Sequence, residues 1–92
     1  MAYARRVDRN HREIADALRS IGWVVCDTSA LGAFVDLVAV RRGVVKLIEV
    51  KDGSKCKSQQ ALTPAQVKLH AELLRAGTVV EVVTSIDDAL AL

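Results

Sequence analysis

Three charged side chains occupy two neighbouring predicted strands, with Asp36 on the first strand and Glu49 and Lys51 on the second. Side chains two positions apart on a strand point the same way, so Glu49 and Lys51 share a face. If the intervening hairpin is symmetric about Arg42-Gly43, Asp36 lies directly opposite Glu49. Opposed carboxylates destabilise a sheet unless something positive lies between them, and a hard divalent cation with oxygen ligands is the natural candidate.

Two ordinary interpretations of this pattern remain open. A Glu-x-Lys sequence occurs on many solvent-exposed strand edges, where it carries out no chemistry. An odd number of loop residues would also shift the pairing and move Asp36 away from Glu49. A functional site is favoured by the combination of a mid-strand acid, a tight hairpin, the Glu-x-Lys on the returning strand and a long polar loop at residues 52–60.

The composition predicts one small domain with an aliphatic core. The chain has 92 residues, of which 51% are hydrophobic, with only one Trp, one Tyr and one Phe. A single domain over residues 1–92 is expected from this length. No apolar run approaches the ~18 residues of a membrane span and no signal-peptide pattern is visible, so a cytoplasmic location without membrane contact is expected. We expect Cys26 to pack in a core strand and Cys56 to be a loop thiol, both reduced.

Positive charge is concentrated in the first two thirds of the chain. Residues 1–57 contain eleven Lys or Arg against seven Asp or Glu, whereas residues 58–92 contain two against four. Such clustering fits a polyanion bound through its phosphates, although an ordinary solvated surface would have the same composition. The basic residues predicted to bind nucleic acid lie at the N-terminus, the hairpin tip and the polar loop: Arg5, Arg6, Arg41, Arg42, Lys55 and Lys57.

A first helix is predicted by an apolar stripe at helical spacing, with Asp8 or Asn10 as its cap and Gly22 as its stop. The stripe consists of Val7, Ile14, Ala17, Leu18 and Ile21. Glu13 lies on the flank of this stripe, where it could lean toward the acidic pair or remain solvated. His11 has no partner pattern and is predicted to lie at the surface.

A second helix is predicted from Pro64 to about Ala76, because Thr63 suits the N-cap and Gln66 the reciprocal capping-box position. Capping alone would explain Gln66, and a role at the site would be additional. His70 is predicted on the rim. The predicted core stripe of this helix is Leu62, Ala65, Leu69, Leu73 and Ala76, and the opposite stripe, a possible self-association surface, is Val67, Ala71 and Leu74.

The predicted order of elements is α-β-β-β-α-β-α. The three strands of the first half form an antiparallel meander, and the second helix connects the third strand to a parallel fourth strand. The predicted fold class is therefore α/β, a mixed sheet flanked by helices.

This order, with Asp before Glu-x-Lys, is similar to the restriction-endonuclease-like core of the PD-(D/E)xK nucleases. Three segments in order resemble the virus-type replication–repair branch, VRR-NUC: Gly32 with 36-DLVAV-40, 48-IEVKDG-53, and 62-LTPAQ-66 with Leu69-His70. The proline that the superfamily has before its aspartate is Val35 here. That position does not ligate metal, so activity is still expected.

The resemblance implies hydrolysis of a phosphodiester with Mg²⁺ or Mn²⁺ as cofactor. Asp36, Glu49 and the Val50 carbonyl would hold the cation, with Glu13 as a further candidate ligand. Lys51 would orient the attacking water or offset charge on the phosphate, and Gln66 matches the family's helix glutamine and would assist in positioning.

The resemblance also implies a substrate. Relatives of this size are bacterial or phage proteins that act as homodimers on branched DNA, so a dimeric four-way (Holliday) junction resolvase is expected. A flap or nicking nuclease and a nuclease module of a larger machine are alternatives within the same chemistry. A non-catalytic nucleic-acid-binding domain is the alternative from a different class.

Overall fold

The computed structural model describes residues 9–53 and 61–92. The elements in chain order are α1 (Arg9–Ser20), β1 (Val24–Asp27), a 3₁₀ turn (Ser29–Leu31), β2 (Leu37–Arg41), β3 (Val44–Val50), α2 (Pro64–Arg75), β4 (Val80–Val83) and α3 (Ile86–Leu90). The strands form one sheet in the order β1-β2-β3-β4, antiparallel except for the parallel pair β3 and β4. The predicted α/β class, with a mixed sheet flanked by helices, is confirmed.

The hairpin between β2 and β3 has a two-residue turn at Arg42-Gly43, which gives the symmetric pairing considered above. Arg42 has φ +52° and Gly43 has φ +79°, and two successive positive φ values match the strand-compatible type I′ turn. The symmetric register follows, with Arg41 paired to Val44 and Leu37 paired to Ile48. Continued by one residue, this register brings Asp36 to Glu49.

One face of the sheet carries the apolar core. Ile14 and Leu18, one turn apart on α1, are fully buried, as is Ile48 on β3. The helix α3 packs beside α1 and contributes buried Ala89. Burial of aliphatic side chains of this size stabilises the fold by roughly 1.5–3 kcal/mol each, so this face supplies most of the folding free energy.

The other face lies under α2, which contains no buried residue. The helix is rotated from the predicted orientation: Ala65 and Ala76, expected in the core, are exposed. Leu62, Leu69 and Leu73 of the predicted stripe are half-buried as expected, and Gln66 and His70 are half-buried beside them. The sheet beneath explains the difference, because Glu49 and Lys51 need polar partners that alanines cannot supply.

Two further predictions about single residues, Cys26 in β1 and His11 in α1, are wrong. Cys26 is exposed rather than packed in the core, because it lies on the edge strand β1 and points away from α1. His11 is buried, not at the surface, and its Nε2 lies 3.2 Å from Asp27 Oδ2. Of the two candidate caps of α1, Asn10 lies inside the helix and Asp8 lies outside the described residues. Cys56 lies outside the described residues.

Within residues 9–53 and 61–92, none of the helices combines the length and the apolar character that a membrane crossing requires.

Candidate active site

Asp36 and Glu49 are in contact at the end of the hairpin opposite its turn. Asp36 immediately precedes β2, and its Oδ2 accepts a hydrogen bond of 2.9 Å from the Val50 N–H. The Asp36 N–H donates to the Ile48 carbonyl over 3.1 Å. The Glu49 side chain lies on the α2 face of β3 and is 0% exposed. The predicted meeting of the two acids is therefore present in the structure.

Burial and the neighbouring acid make Glu49 a weak acid. Burial raises the pKa of the Glu49 carboxyl to about 8, and the contact with Asp36 adds to the effect, while the Lys51 ammonium partly opposes it. Two adjacent carboxylates resist carrying two negative charges, so without a cation they share one proton. The proton allows one carboxyl to donate a hydrogen bond to the other.

Gln66 links the acid to the lysine. Lys51 Nζ donates to Gln66 Oε1 over 2.8 Å, and Gln66 Nε2 donates to Glu49 Oε2 over 3.3 Å. The same Oε1 accepts the Thr63 N–H over 2.9 Å, which completes the predicted capping box of α2. Gln66 therefore caps the helix and contacts the site. Because Lys51 can only donate, its bond to Oε1 turns the amide nitrogen toward Glu49.

His70 also lies at the site, which sequence reasoning missed. Its Nε2 is 3.5 Å from Glu49 Oε1, and its side chain is only 15% exposed. Burial, together with the nearby Lys51 charge, lowers the pKa of His70. The signal was available in the spacing, since a residue four positions after Gln66 lies on the same helix face. The sequence analysis placed His70 on the rim because it lies to one side of the predicted core stripe of α2.

The backbone after Glu49 is held by residues from distant parts of the chain. Asn10 Nδ2 donates to the Lys51 carbonyl over 2.8 Å, and the Lys51 N–H donates to the Val83 carbonyl over 3.0 Å. Gly53 then passes so close to β4 that a Cβ there would lie 2.8 Å from the Thr84 carbonyl oxygen. Only glycine fits this approach, which fixes the path of the chain as it leaves the site.

Glu13 lies on the other side of this backbone. It lines an open cleft of about 660 Å³ together with Asn10, Asp52 and Thr84. Among the described residues, no three His, Cys, Asp or Glu side chains are grouped in a way that would hold a metal ion. Glu13 therefore does not join Asp36 and Glu49 in this structure, and its role as a ligand stays a prediction.

The acidic pair nevertheless fits a hard divalent cation. Mg²⁺ is commonly bound by one or two carboxylates and keeps several waters, so a third protein carboxylate is not required. Among the described residues, the buried Glu49 Oε1 has no hydrogen-bond partner. A cation could replace the shared proton and neutralise both acids. The Val50 carbonyl remains a predicted ligand.

The two described arginines that were predicted to bind nucleic acid, Arg41 and Arg42, do not lie around the acids. The Arg41 guanidinium lies 4.3 Å from the centroid of the Trp23 ring, and it donates to the Ile21 carbonyl over 2.8 Å and to the Leu92 carbonyl over 3.3 Å. These structural contacts compete with the predicted phosphate contact.

Arg42 is exposed at the hairpin tip. The tip lies at the far end of β2 and β3 from Asp36, roughly 20 Å away at 3.3 Å per residue. The other residues predicted to bind nucleic acid, Arg5, Arg6, Lys55 and Lys57, lie outside the described residues.

Comparison with known proteins supports the assignment of the fold. A solved structure of a VRR_NUC domain superposes with a TM-score of 0.69 and 26% sequence identity, covering 88% of this chain and 86% of that one. The sequence is 28% identical over 65 residues to a UPF0102 protein of Helicobacter pylori strain Shi470 and 29% identical to that of strain P12. These matches cover 68% of this chain and 57% of each relative, so the matched chain spans little more than half of their length. No protein-family profile matches. The predicted resemblance is thus confirmed: in fold and in sequence, this chain is similar to the VRR-NUC branch of the PD-(D/E)xK nucleases.

Proposed function

We propose that this chain hydrolyses phosphodiester bonds in DNA with Mg²⁺ or Mn²⁺ as its cofactor. The observation that carries the proposal is the contact between Asp36 and the fully buried Glu49, with Lys51 and Gln66 bound beside it. A purely structural role does not explain this set, because burying a second carboxylate against the first costs free energy and gives little packing in return. The similarity to a VRR_NUC domain supports the same conclusion.

Asp36 and Glu49, with the Val50 carbonyl, are the residues that would hold the cation. When bound, the cation polarises the scissile phosphate and lowers the pKa of a bound water. Asp36 is already oriented for this role, since the Val50 N–H fixes one of its oxygens at 2.9 Å.

Lys51 supplies the positive charge of the site. Its side chain shares a face with Glu49, and the bond to Gln66 Oε1 holds the ammonium beside the acids. From this position Lys51 can offset the negative charge that grows on the phosphate in the transition state. Gln66 acts on both partners, because it accepts from Lys51 and donates to Glu49.

A non-catalytic nucleic-acid-binding domain would derive no benefit from this arrangement. Phosphate contacts are made by cations, and a buried acidic pair repels the backbone that such a domain must bind. The acids are useful to a nucleic-acid protein when a cation is recruited between them and the phosphate.

The activity is tested with matched four-way, flap, splayed and linear DNA substrates, each with Mg²⁺, with Mn²⁺ and with EDTA. We expect cleavage that depends on the cation and that favours one branched substrate. Tight DNA binding without cleavage in either cation would support the non-catalytic domain instead. Cleavage that persists in EDTA would contradict the proposed cofactor.

We further propose that the chain is a homodimer that resolves four-way junctions. Val67 and Leu74 on the outer flank of α2 are 53% and 59% exposed. An isologous contact between identical apolar patches would place two sites in a two-fold arrangement, which suits a substrate with two-fold symmetry. The acidic character of residues 58–92 makes this region a poor surface for DNA.

Light scattering at micromolar concentration tests the dimer. We expect Val67→Glu and Leu74→Glu to shift it to monomer, with loss of paired cleavage at a junction and retention of single-strand nicking. Val45→Glu is the matched control, because Val45 is similarly exposed, at 58%, but lies on β3. A monomeric wild-type chain would favour the flap or nicking activity, and dissociation caused only by Val45→Glu would move the interface to the sheet.

A further inference from the structure

Two donor side chains from one helix face approach the two oxygens of a single carboxylate. Gln66 and His70 are one turn apart on α2, and residues four apart on a helix lie side by side. Gln66 Nε2 lies 3.3 Å from Glu49 Oε2, and His70 Nε2 lies 3.5 Å from Glu49 Oε1. The helix therefore faces both oxygens of Glu49 with nitrogen atoms.

The contact between His70 and Glu49 is too long to be an ordinary hydrogen bond in the structure. Glu49 Oε1 and His70 Nε2 are both buried, and among the described residues neither has a hydrogen-bond partner. Buried polar atoms nearly always find one. The separation of 3.5 Å is a few tenths of an ångström longer than an ordinary N–H···O bond, and hydrogen bonds in active sites are often long until the substrate complex forms.

We infer that His70 is a positioning residue whose Nε2–H binds Glu49 Oε1 and, together with Gln66, fixes the plane of the Glu49 carboxylate. The inference rests on the nuclease function proposed above and adds a residue to that site. With one lone pair on each oxygen engaged by the helix, the remaining lone pairs are available on the side of Asp36. His70 is neutral in this role, so Lys51 still supplies the positive charge of the site.

Fixing the ligand plane has a measurable consequence for cation affinity. Removing a group that hydrogen-bonds to a metal ligand and orients it typically lowers metal affinity or activity by about 10–100-fold. A His70 that only filled space would be replaced without such a loss by an apolar side chain of similar size. A His70 that bound the cation itself would need a bare Nε2, which is the opposite protonation state from the one inferred.

The first experiment compares His70→Leu, His70→Gln and the control Glu72→Gln, which alters an exposed residue of the same helix. Mg²⁺ and Mn²⁺ affinities are measured by calorimetry without DNA, and folding by circular dichroism. We expect His70→Leu to weaken cation binding by about 10–100-fold, His70→Gln to restore most of it through its amide donor, and Glu72→Gln to match the wild type. Unchanged affinity in a folded His70→Leu variant would overturn the inference while leaving the nuclease proposal intact.

The second experiment uses the wild-type chain, so it remains decisive if the leucine variant does not fold. Long-range ¹H–¹⁵N correlation spectra of the histidine rings with Mg²⁺ report which nitrogen carries the hydrogen. We expect His70 to carry it on Nε2, and a bare Nε2 would overturn the inference. A wild-type chain that neither binds Mg²⁺ or Mn²⁺ nor cleaves DNA would overturn the proposed function, and the role of His70 with it.

Discussion

The two faces of the sheet differ in how they are covered. Against α1 and α3 the sheet presents fully buried aliphatic side chains, including Leu37 and Ile48, and α1 contributes Ile14 and Leu18. Against α2 the sheet presents Glu49, and the helix covering it has no buried residue at all. The first face is closed by close packing, and the second combines half-buried leucines of α2 with hydrogen bonds among polar side chains.

This difference separates stability from chemistry within one strand. Ile48 and Glu49 are consecutive on β3, yet alternation sends one into the core and the other to the site. A face that binds a cation and a phosphate must carry buried polar groups, which weakens packing there. The closely packed face can compensate for that cost, because its aliphatic burial does not depend on what the other face holds.

The largest expected effect is on catalysis at the polar face. Glu49→Gln and Asp36→Asn should each lower single-turnover cleavage by at least about 1,000-fold, since each removes a proposed ligand of a cation worth several kcal/mol to the transition state. DNA binding should be unchanged or tighter, because a charge that repels phosphate is gone. Turnover close to wild type in either variant would show that the chemistry lies elsewhere.

The next largest effect is on stability at the packed face. Ile48→Ala should lower the free energy of unfolding by about 2–5 kcal/mol, because Ile48 is fully buried. The half-buried Leu73 on α2 serves as the comparison, and Leu73→Ala should cost only about 1–2 kcal/mol. Urea titrations measure both. Equal losses would mean that α2 contributes as much to stability as the core does, and the contrast between the faces would fail.

The smallest effect is a pH dependence confined to the polar face. Without cation, the folded protein holds a proton on Glu49 up to a pKa of about 8, whereas the unfolded chain releases it near the ordinary glutamate pKa of 4.5. The folded state therefore binds more protons between these values. Stability should fall as pH rises through this window, by up to about 1.4 kcal/mol per pH unit.

Thermal unfolding between pH 7 and 8 measures this slope, which should level off above the pKa of about 8. The lowered pKa of His70 contributes only below its ordinary value of 6.5, so this histidine does not interfere. Mg²⁺ should stabilise the protein more at pH 8.5 than at pH 7, since it replaces the shared proton. Glu49→Gln should flatten the dependence of stability on pH. If the dependence persists in this variant, a group other than Glu49 causes it.

Interactions between residues close in sequence allowed much of the fold to be predicted, together with the meeting of Asp36 and Glu49 at the site. The pair Arg42-Gly43 dictates a two-residue turn, the turn sets the register, and the register brings Asp36 to Glu49. Thr63 and Gln66 likewise specify the start of α2 through bonds between residues three apart. Each of these features depends on neighbours in the chain, which is why it was accessible from the residues alone.

Only the tertiary structure decided which residues each helix face and each basic side chain contacts. His70 reaches Glu49, and His11 reaches Asp27, because α2 and α1 settle on the sheet with these particular faces inward. Arg41 is engaged by Trp23 and the last residue of the chain, although its place at a hairpin tip suggested a free cation. A helix with apolar residues on two sides can pack in more than one rotation, and the choice follows from the polar groups already buried in the sheet beneath it. Those groups come from segments distant in sequence, so no local pattern encodes the choice.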